Sequence, residues 1–350
     1  MNKLPGMAKV LIASLTLATL LTGCSTTSFF GNPSLAKAES LSPNQQTHRR
    51  DVASKDKLLQ TGTGYKISPI PDRFPPSYYV NLNKDIYYTN RVMIISFHDM
   101  SLHQRSRYNT SPQAFAADLQ ALQAYHFNVI SHQQFIDWKN NHAPVPANAV
   151  MLTFDDGYRS MYSHAFPILR QYHMTGTFFI ITHAPDVNYH GFVTWPELQV
   201  MAQQGMTLES HTYNLHFDVN VHGKLIPAFN TPYWHGKLQT PSQYYQRDYQ
   251  DFLQARLQLQ QHLGYTVDEI AWPYGYGNAI AYRAALAAGY QMFYTTAAGV
   301  NSPWTSSWYI KRIDVGLAKS PVQMINEILR TAGSPSQLVA QPQSKTSHQA

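Results

Sequence analysis

The sequence predicts an α/β fold built on a parallel sheet, and three observations carry the prediction. Val92-Met93-Ile94-Ile95-Ser96-Phe97 and Val150-Met151-Leu152-Thr153-Phe154 are nearly continuous apolar runs, as expected of strands buried on both faces. Helix-start signals follow such runs, Ser111-Pro112 and Thr194-x-x-Glu197 among them. The residues able to do chemistry, His98, Asp155, Asp156, His211 and the Pro273-Tyr274-Gly275 turn, all fall just after strands, where parallel α/β folds form their sites.

Taken in order, the first strand ends at His98-Asp99. Ser111 then caps a helix with proline at its first position, and Phe115, Leu119, Leu122 and Tyr125 follow at helical spacing. Asn128-Val129-Ile130 is a short strand, and Ser131 caps the next helix. The strand over 150–154 ends at Asp155-Asp156-Gly157, and a helix runs from there to about His173. Gly176 to Ile181 is a strand. The capping box at Thr194 opens a helix that Gly205 stops, and Met206 to Glu209 leads into Ser210-His211. Residues 217–240 are long for a loop inside a domain. With Phe229, Tyr233 and Trp234 they either wall one side of a groove or pack on their own side chains. A long helix over 242–262, a strand over Glu269 to Trp272 and a helix closed by Gly289 come next. Strands over 291–295 and 309–315 and a helix from Ser320 complete the series.

Composition narrows the class. Hydrophobic residues make up 44% and aromatics 13%, enough for a substantial core, while charged residues are only 13% against roughly 25% in an average domain. The 23 Tyr and 6 Trp suit a core and a sugar-stacking surface alike. Lys3 and Lys9 supply two of the net +6 charges, and no dense Lys/Arg run occurs elsewhere. Nucleic acid is therefore not an expected partner. Lys3 and Lys9 border an apolar run from Val10 to Leu21, too short to span a bilayer, which takes about 20 residues, but as long as a signal-peptide core. It ends in Leu21-Thr22-Gly23-Cys24, which resembles the bacterial lipoprotein box. That resemblance implies a signal peptide over 1–23, lipid on Cys24 and an extracytoplasmic protein anchored to the cell membrane, or to the outer membrane of a two-membraned cell. Cys24 is the single cysteine, so neither a disulfide nor a thiolate metal site is expected. Residues 24–64 read as a polar tether, 65–332 as one domain with its core over 91–315, and 333–350 as a disordered tail. No second catalytic domain is expected, and a monomer is.

Two runs concentrate the chemistry: Thr153-Phe154-Asp155-Asp156-Gly157 and His211-Thr212-Tyr213-Asn214-Leu215-His216. Asp156, His211 and His216 form a two-His, one-carboxylate set suited to Zn²⁺ or a similar first-row divalent ion, with Ni, Co or Fe as alternatives. The histidines are five apart, so they converge only if the chain turns between them. Such an ion lowers the pKa of its water from about 15.7 towards 7. Asp155 is then left to take the proton, and a second group must protonate the leaving amine. Each run also has a plainer reading. Asp-Asp-Gly after a strand is a common turn or helix N-cap, and the chain has 16 His from which a pair arises easily.

Taken together, TFDDG, Thr194-Trp195-Pro196-Glu197-Leu198 leading to Glu209-Ser210-His211-Thr212-x-x-x-His216, and Trp272-Pro273-Tyr274-Gly275 resemble the polysaccharide deacetylase family (carbohydrate esterase family four) in content and order. The resemblance implies a distorted, incomplete (β/α) barrel and metal-dependent removal of acetyl groups from glycans. It makes Asp155 the base and Asp156, His211 and His216 the metal ligands, and gives the backbone N–H of Tyr274 to the oxyanion. Two departures stand out. The family's base-orienting Arg, two residues before the motif proline, is replaced by Ala271, and Arg312 on a late strand is the candidate substitute. The family's late general-acid His is missing too, since no His lies between His262 and His348. His98 at the end of the first strand is then the candidate acid, with His183 as rival. An early His is similar to the circularly permuted branch that deacetylates poly-β-1,6-N-acetylglucosamine, a biofilm exopolysaccharide. The expected partner is that exported polymer. Peptidoglycan or chitin-type oligomers are the same-fold alternative, and a non-catalytic glycan- or metal-binding lipoprotein is the alternative of another class.

Overall fold

The computed structural model describes residues 80–102, 106, 108–315 and 320–333. The stretches expected to be a signal peptide, a lipidated Cys24, a tether and, from 334, a tail lie outside the described residues. So do the first residues of the expected domain.

Seven parallel strands form the frame. β1 (Val92–Phe97), β3 (Ala149–Phe154), β4 (Thr177–Ile180), β5 (Thr207–Ser210), β10 (Glu269–Ala271) and β11 (Met292–Tyr294) lie side by side, with β12 (Ile313–Asp314) on the far side of β1. The short β2 (Asn128–Val129) adds to β3. Both sheet edges meet on one late segment: Ile310 bridges in parallel to Tyr294 of β11, while Ile313 pairs with Ile95 of β1. This closes the sheet into the distorted (β/α) barrel that the sequence predicts.

The helices α1 (Pro112–Ala124), α2 (His132–Asn141), α3 (Phe166–Gln171), α4 (His183–Asp186), α5 (Trp195–Gln203), α6 (Pro241–Leu263), α7 (Ala279–Ala287) and α8 (Pro321–Thr331) follow the strands. Their starts are written locally. Ser131, Thr194, Thr240 and Ser320 each form a capping box with the Gln or Glu three residues on. The helix after TFDDG is less regular than its pattern suggests. A π-helical turn, Met161–Ala165, precedes Pro167, whose ring excludes the carbonyl four residues back.

β1 and β3 are buried along their whole length. One face meets the helices, with Phe97, Phe154 and Phe178 stacked in series. The other face fills the barrel. Because strand side chains alternate, Thr153 and Asp155, Glu209 and His211, and Glu269 and Ala271 point into the same interior. Phe179, Ala271, Tyr294 and Ile310 form its apolar middle layer. Below that layer, Glu269 accepts from the Tyr294 hydroxyl (2.5 Å) and pairs with His132 (3.0 Å).

Two stretches differ from expectation. The strand over 309–315 is confined to Ile313–Asp314, because Lys311 and Arg312 give their N–H groups to Asn301 Oδ1 and the Ala297 carbonyl instead. Residues 217–240 hold two antiparallel hairpins, β6 (Asp218–Val221) with β7 (Lys224–Pro227) and β8 (Tyr233–Trp234) with β9 (Lys237–Leu238). Both turn on His-Gly with positive φ at each residue, His222-Gly223 and His235-Gly236, the demand of a type I′ turn. Arg247 of α6 ties this insertion down, donating to the carbonyls of Ala228 and Thr231 and lying 4.7 Å from the Trp234 ring centroid.

Candidate active site

The site forms at the C-terminal ends of the strands. β3 delivers Asp155, 3% exposed, whose N–H donates to the Phe97 carbonyl. The chain then turns sharply, with φ of +81° at Asp156 and +86° at Gly157. That turn places two adjacent carboxylates in different roles. Asp155 points inward to Arg312, and Asp156 points to the histidines.

Arg312 is fully buried and bidentate on Asp155, both N–O distances being 2.7 Å. It also donates to the Thr153 hydroxyl and the Thr295 carbonyl. Burial alone would raise the Asp155 pKa. The Arg312 guanidinium, then His211 and His98, outweigh it and hold the carboxyl below its ordinary value. Asp155 is therefore ionised at neutral pH. Ala271, where the family pattern has Arg, does a different job here: its carbonyl accepts from His211 Nδ1 at 2.7 Å.

That bond fixes the ring so that His211 Nε2 faces the site. It faces Asp156 Oδ1 at 3.4 Å, and His216 Nε2 faces the same oxygen at 3.2 Å. Asp156 Oδ1 is buried with no hydrogen-bond partner. The three donor atoms lie within 4.8 Å of one another, and theirs is the one such group among the described residues. Burial, with the charge of His211, holds the His216 pKa below its ordinary value, so its imidazole is neutral near pH 7. Lone pairs from two imidazoles and a carboxylate converging on one point repel each other unless a cation lies between them. The donor set fits a first-row divalent ion.

Two backbone outliers lie beside this point. Among the described residues, twelve non-glycine positions have positive φ; all are Asp, Asn or His except Thr212 and Tyr274. Thr212 follows His211, and Tyr274 stacks its ring on His216 at 5.0 Å between centroids. Left-handed Thr and Tyr cost on the order of 1–3 kcal/mol each and persist only when the surroundings enforce them.

His98 ends β1 with its Nδ1 buried and unpartnered and its ring 5.1 Å from that of Tyr108. It lines a groove of about 670 Å³ with Asp156, Tyr108, Tyr158 and Phe192, the last two stacked at 4.9 Å. It lies close enough to Asp155 and Asp156 to help hold both carboxyls below their ordinary pKa. His183 opens α4, faces the Tyr213 hydroxyl at 3.1 Å and is not among the groove's lining residues. The structure thus brings Asp155, Asp156, His211, His216, Tyr274, Arg312 and His98 to one end of the barrel. Sequence reading missed Asp251, a mid-helix acid with no local motif to mark it; its carboxylate accepts the N–H groups of Tyr213 and Asn214.

Comparison with known proteins gives the same picture. Residues 142–293 match the family model described as polysaccharide deacetylase. The chain is 31% identical over 176 residues to the poly-β-1,6-N-acetyl-D-glucosamine N-deacetylase of Escherichia coli K12, covering 45% of this chain and 26% of that protein. The chain therefore spans about a quarter of that relative's length. It is 25% identical over 211 residues to the enzyme of the same name from Staphylococcus aureus N315, covering 59% and 67%. Among solved structures, a de-N-acetylase from Aggregatibacter actinomycetemcomitans superposes with a TM-score of 0.62 at 27% identity, over 68% of this chain and 99% of that one. IcaB from Ammonifex degensii gives 0.58 at 25% identity, over 70% and 98%. Fold, motif order, relatives and solved neighbours agree in the likeness of this barrel to polysaccharide deacetylases, with the family match itself lying over residues 142–293.

Proposed function

We propose that this protein is a metal-dependent N-deacetylase acting on N-acetylglucosamine units of an exported polysaccharide of the poly-β-1,6-N-acetylglucosamine type. The observation that carries the reading is the division of labour between the adjacent carboxylates. Asp156 faces two imidazole nitrogens, while Asp155 is held apart, ionised, by Arg312. A pure binding site has no use for the second carboxylate.

Asp156, His211 and His216 would hold the ion. When bound, a divalent cation supplies Lewis acidity at the acetyl carbonyl and acidifies water. Asp155 accepts the proton of the attacking water, and Arg312 fixes its two oxygens in one plane. The Tyr274 N–H, presented by a left-handed turn, faces the developing oxyanion. His98 delivers the proton to the departing nitrogen, so that the amide C–N bond breaks to a free amine and acetate.

Acetate release from partially purified polymer, with and without chelator, tests the reaction; equal release in chelator would sink the metal role. Asp155→Asn should lose most turnover while still binding metal. His98→Ala should lose about 10²–10⁴-fold in rate, and a near-wild-type rate would remove His98 as the acid. Polymer competition against peptidoglycan and chitin oligomers tests the substrate class, and tight polymer binding without acetate release would favour a binding protein.

The lipoprotein-box match at Cys24 supports a lipid anchor and an extracytoplasmic location. Cys24→Ser should then move the protein from the membrane to the soluble fraction on cell fractionation, and unchanged membrane association would count against the anchor.

A further inference from the structure

The turn that joins the two histidines is held from behind. Asp251 lies on α6, is 9% exposed, and takes the Tyr213 N–H on Oδ1 (2.9 Å) and the Asn214 N–H on Oδ2 (2.8 Å). The carbonyls of the same turn are fixed from the other side: Thr212 accepts from the Thr182 N–H (3.2 Å) and Tyr213 from the His183 N–H (3.0 Å). Between these anchors Thr212 sits at φ +77° with its hydroxyl buried and unpartnered. A β-branched residue in that region is strained and relaxes unless its neighbours are fixed. The same conformation lets His211 and His216, five residues apart, aim both Nε2 atoms at Asp156 Oδ1. Burial pushes the Asp251 carboxyl up to about 7, and in its ionised form its bonds to backbone N–H are roughly twice as strong as neutral ones.

We propose that Asp251 is a positioning residue for the metal centre: its carboxylate clamps the strained Thr212-Tyr213-Asn214 turn and so sets the separation of His211 and His216. The inference rests on the reading of Asp156, His211 and His216 as metal ligands. Asp251 touches neither histidine and acts only through the backbone between them.

The test is Zn²⁺ affinity by competition with a chromophoric chelator, together with the visible absorption of the Co²⁺-loaded protein and the melting temperature of the metal-free protein. Asp248→Asn is the control, since Asp248 is buried on the same helix but pairs with Arg247 and not with the turn. Asp251→Asn places an amide N–H₂ against a backbone N–H. It should weaken Zn²⁺ binding about 10–100-fold and alter the Co²⁺ spectrum, with Asp251→Glu restoring part of both. Asp248→Asn should lower the melting temperature and leave affinity and spectrum unchanged. The proposal is overturned by wild-type affinity and spectrum in Asp251→Asn, or by equal weakening in Asp248→Asn. Should Asp251→Asn not fold, Asp251→Glu is read in its place, and unchanged affinity there overturns the clamp. Wild-type protein that binds no metal, or Asp156→Ala that binds it as tightly, would sink the metal reading and this inference with it.

Discussion

Asp155 and Arg312 show what one residue pair contributes. Both are buried, and each is tolerable there only because of the other. Removing one partner of a buried pair costs about 3–5 kcal/mol, so Arg312→Met should melt well below wild type at pH 7. The sign of the pH dependence follows. In the wild type the Asp155 pKa is lowered, so its stabilisation is present above the unfolded value of about 3.9 and is lost as pH falls through the folded value. Without Arg312, burial raises that pKa, and stability instead falls as pH rises. The gap in melting temperature between the two proteins should therefore widen from pH 5 to pH 8; a constant gap would contradict the pairing. Asp118 on α1 gives the opposite case. It is 4% exposed, its Oδ1 has no hydrogen-bond partner, and burial pushes its pKa up to about 7. It stabilises most when protonated, and that contribution is lost as pH rises through 7. Asp118→Asn should leave the melting temperature nearly unchanged below about pH 4, where both states are protonated, and raise it at pH 8.

At the scale of elements, legibility followed locality. Capping boxes, buried strands and the residues after them are written within a few positions, and they stand where the sequence predicts. The two His-Gly hairpins were legible too, had the dipeptide been read as the φ-positive pair that a type I′ turn needs. The π-turn before Pro167 carried a signal in the proline itself. Asp251 had none, because a carboxylate's use depends on which loop packs against its helix. The Pro273-Tyr274-Gly275 turn yields a prediction at this scale. Gly275 has φ +87°, and an added Cβ would lie 1.9 Å from Thr296 Oγ1. Gly275→Ala should therefore displace the Tyr274 N–H, with a large fall in acetate release and a lower melting temperature. Wild-type behaviour in both would show that the turn has room to move.

At the scale of the whole molecule, barrel closure and metal occupancy should be linked, since the ligands come from β3 and the segment after β5. A ligand that binds only the folded state stabilises it by about 2.7 kcal/mol at a hundredfold excess over Kd. Chelator should therefore lower the melting temperature of wild type and leave that of Asp156→Ala unmoved. The sequence by itself determined the strands, the helix caps, the carboxylate pair and the imidazoles, because each is a matter of residue type and short spacing. It also showed that the expected Arg was missing from position 271. Only the tertiary structure decided what stands in its place. Arg312 lies 157 residues from Asp155, and the two meet because the segment around Ile310 and Ile313 bridges both edges of the sheet. A contact made by closing a barrel depends on the path of the whole chain, which no local pattern records.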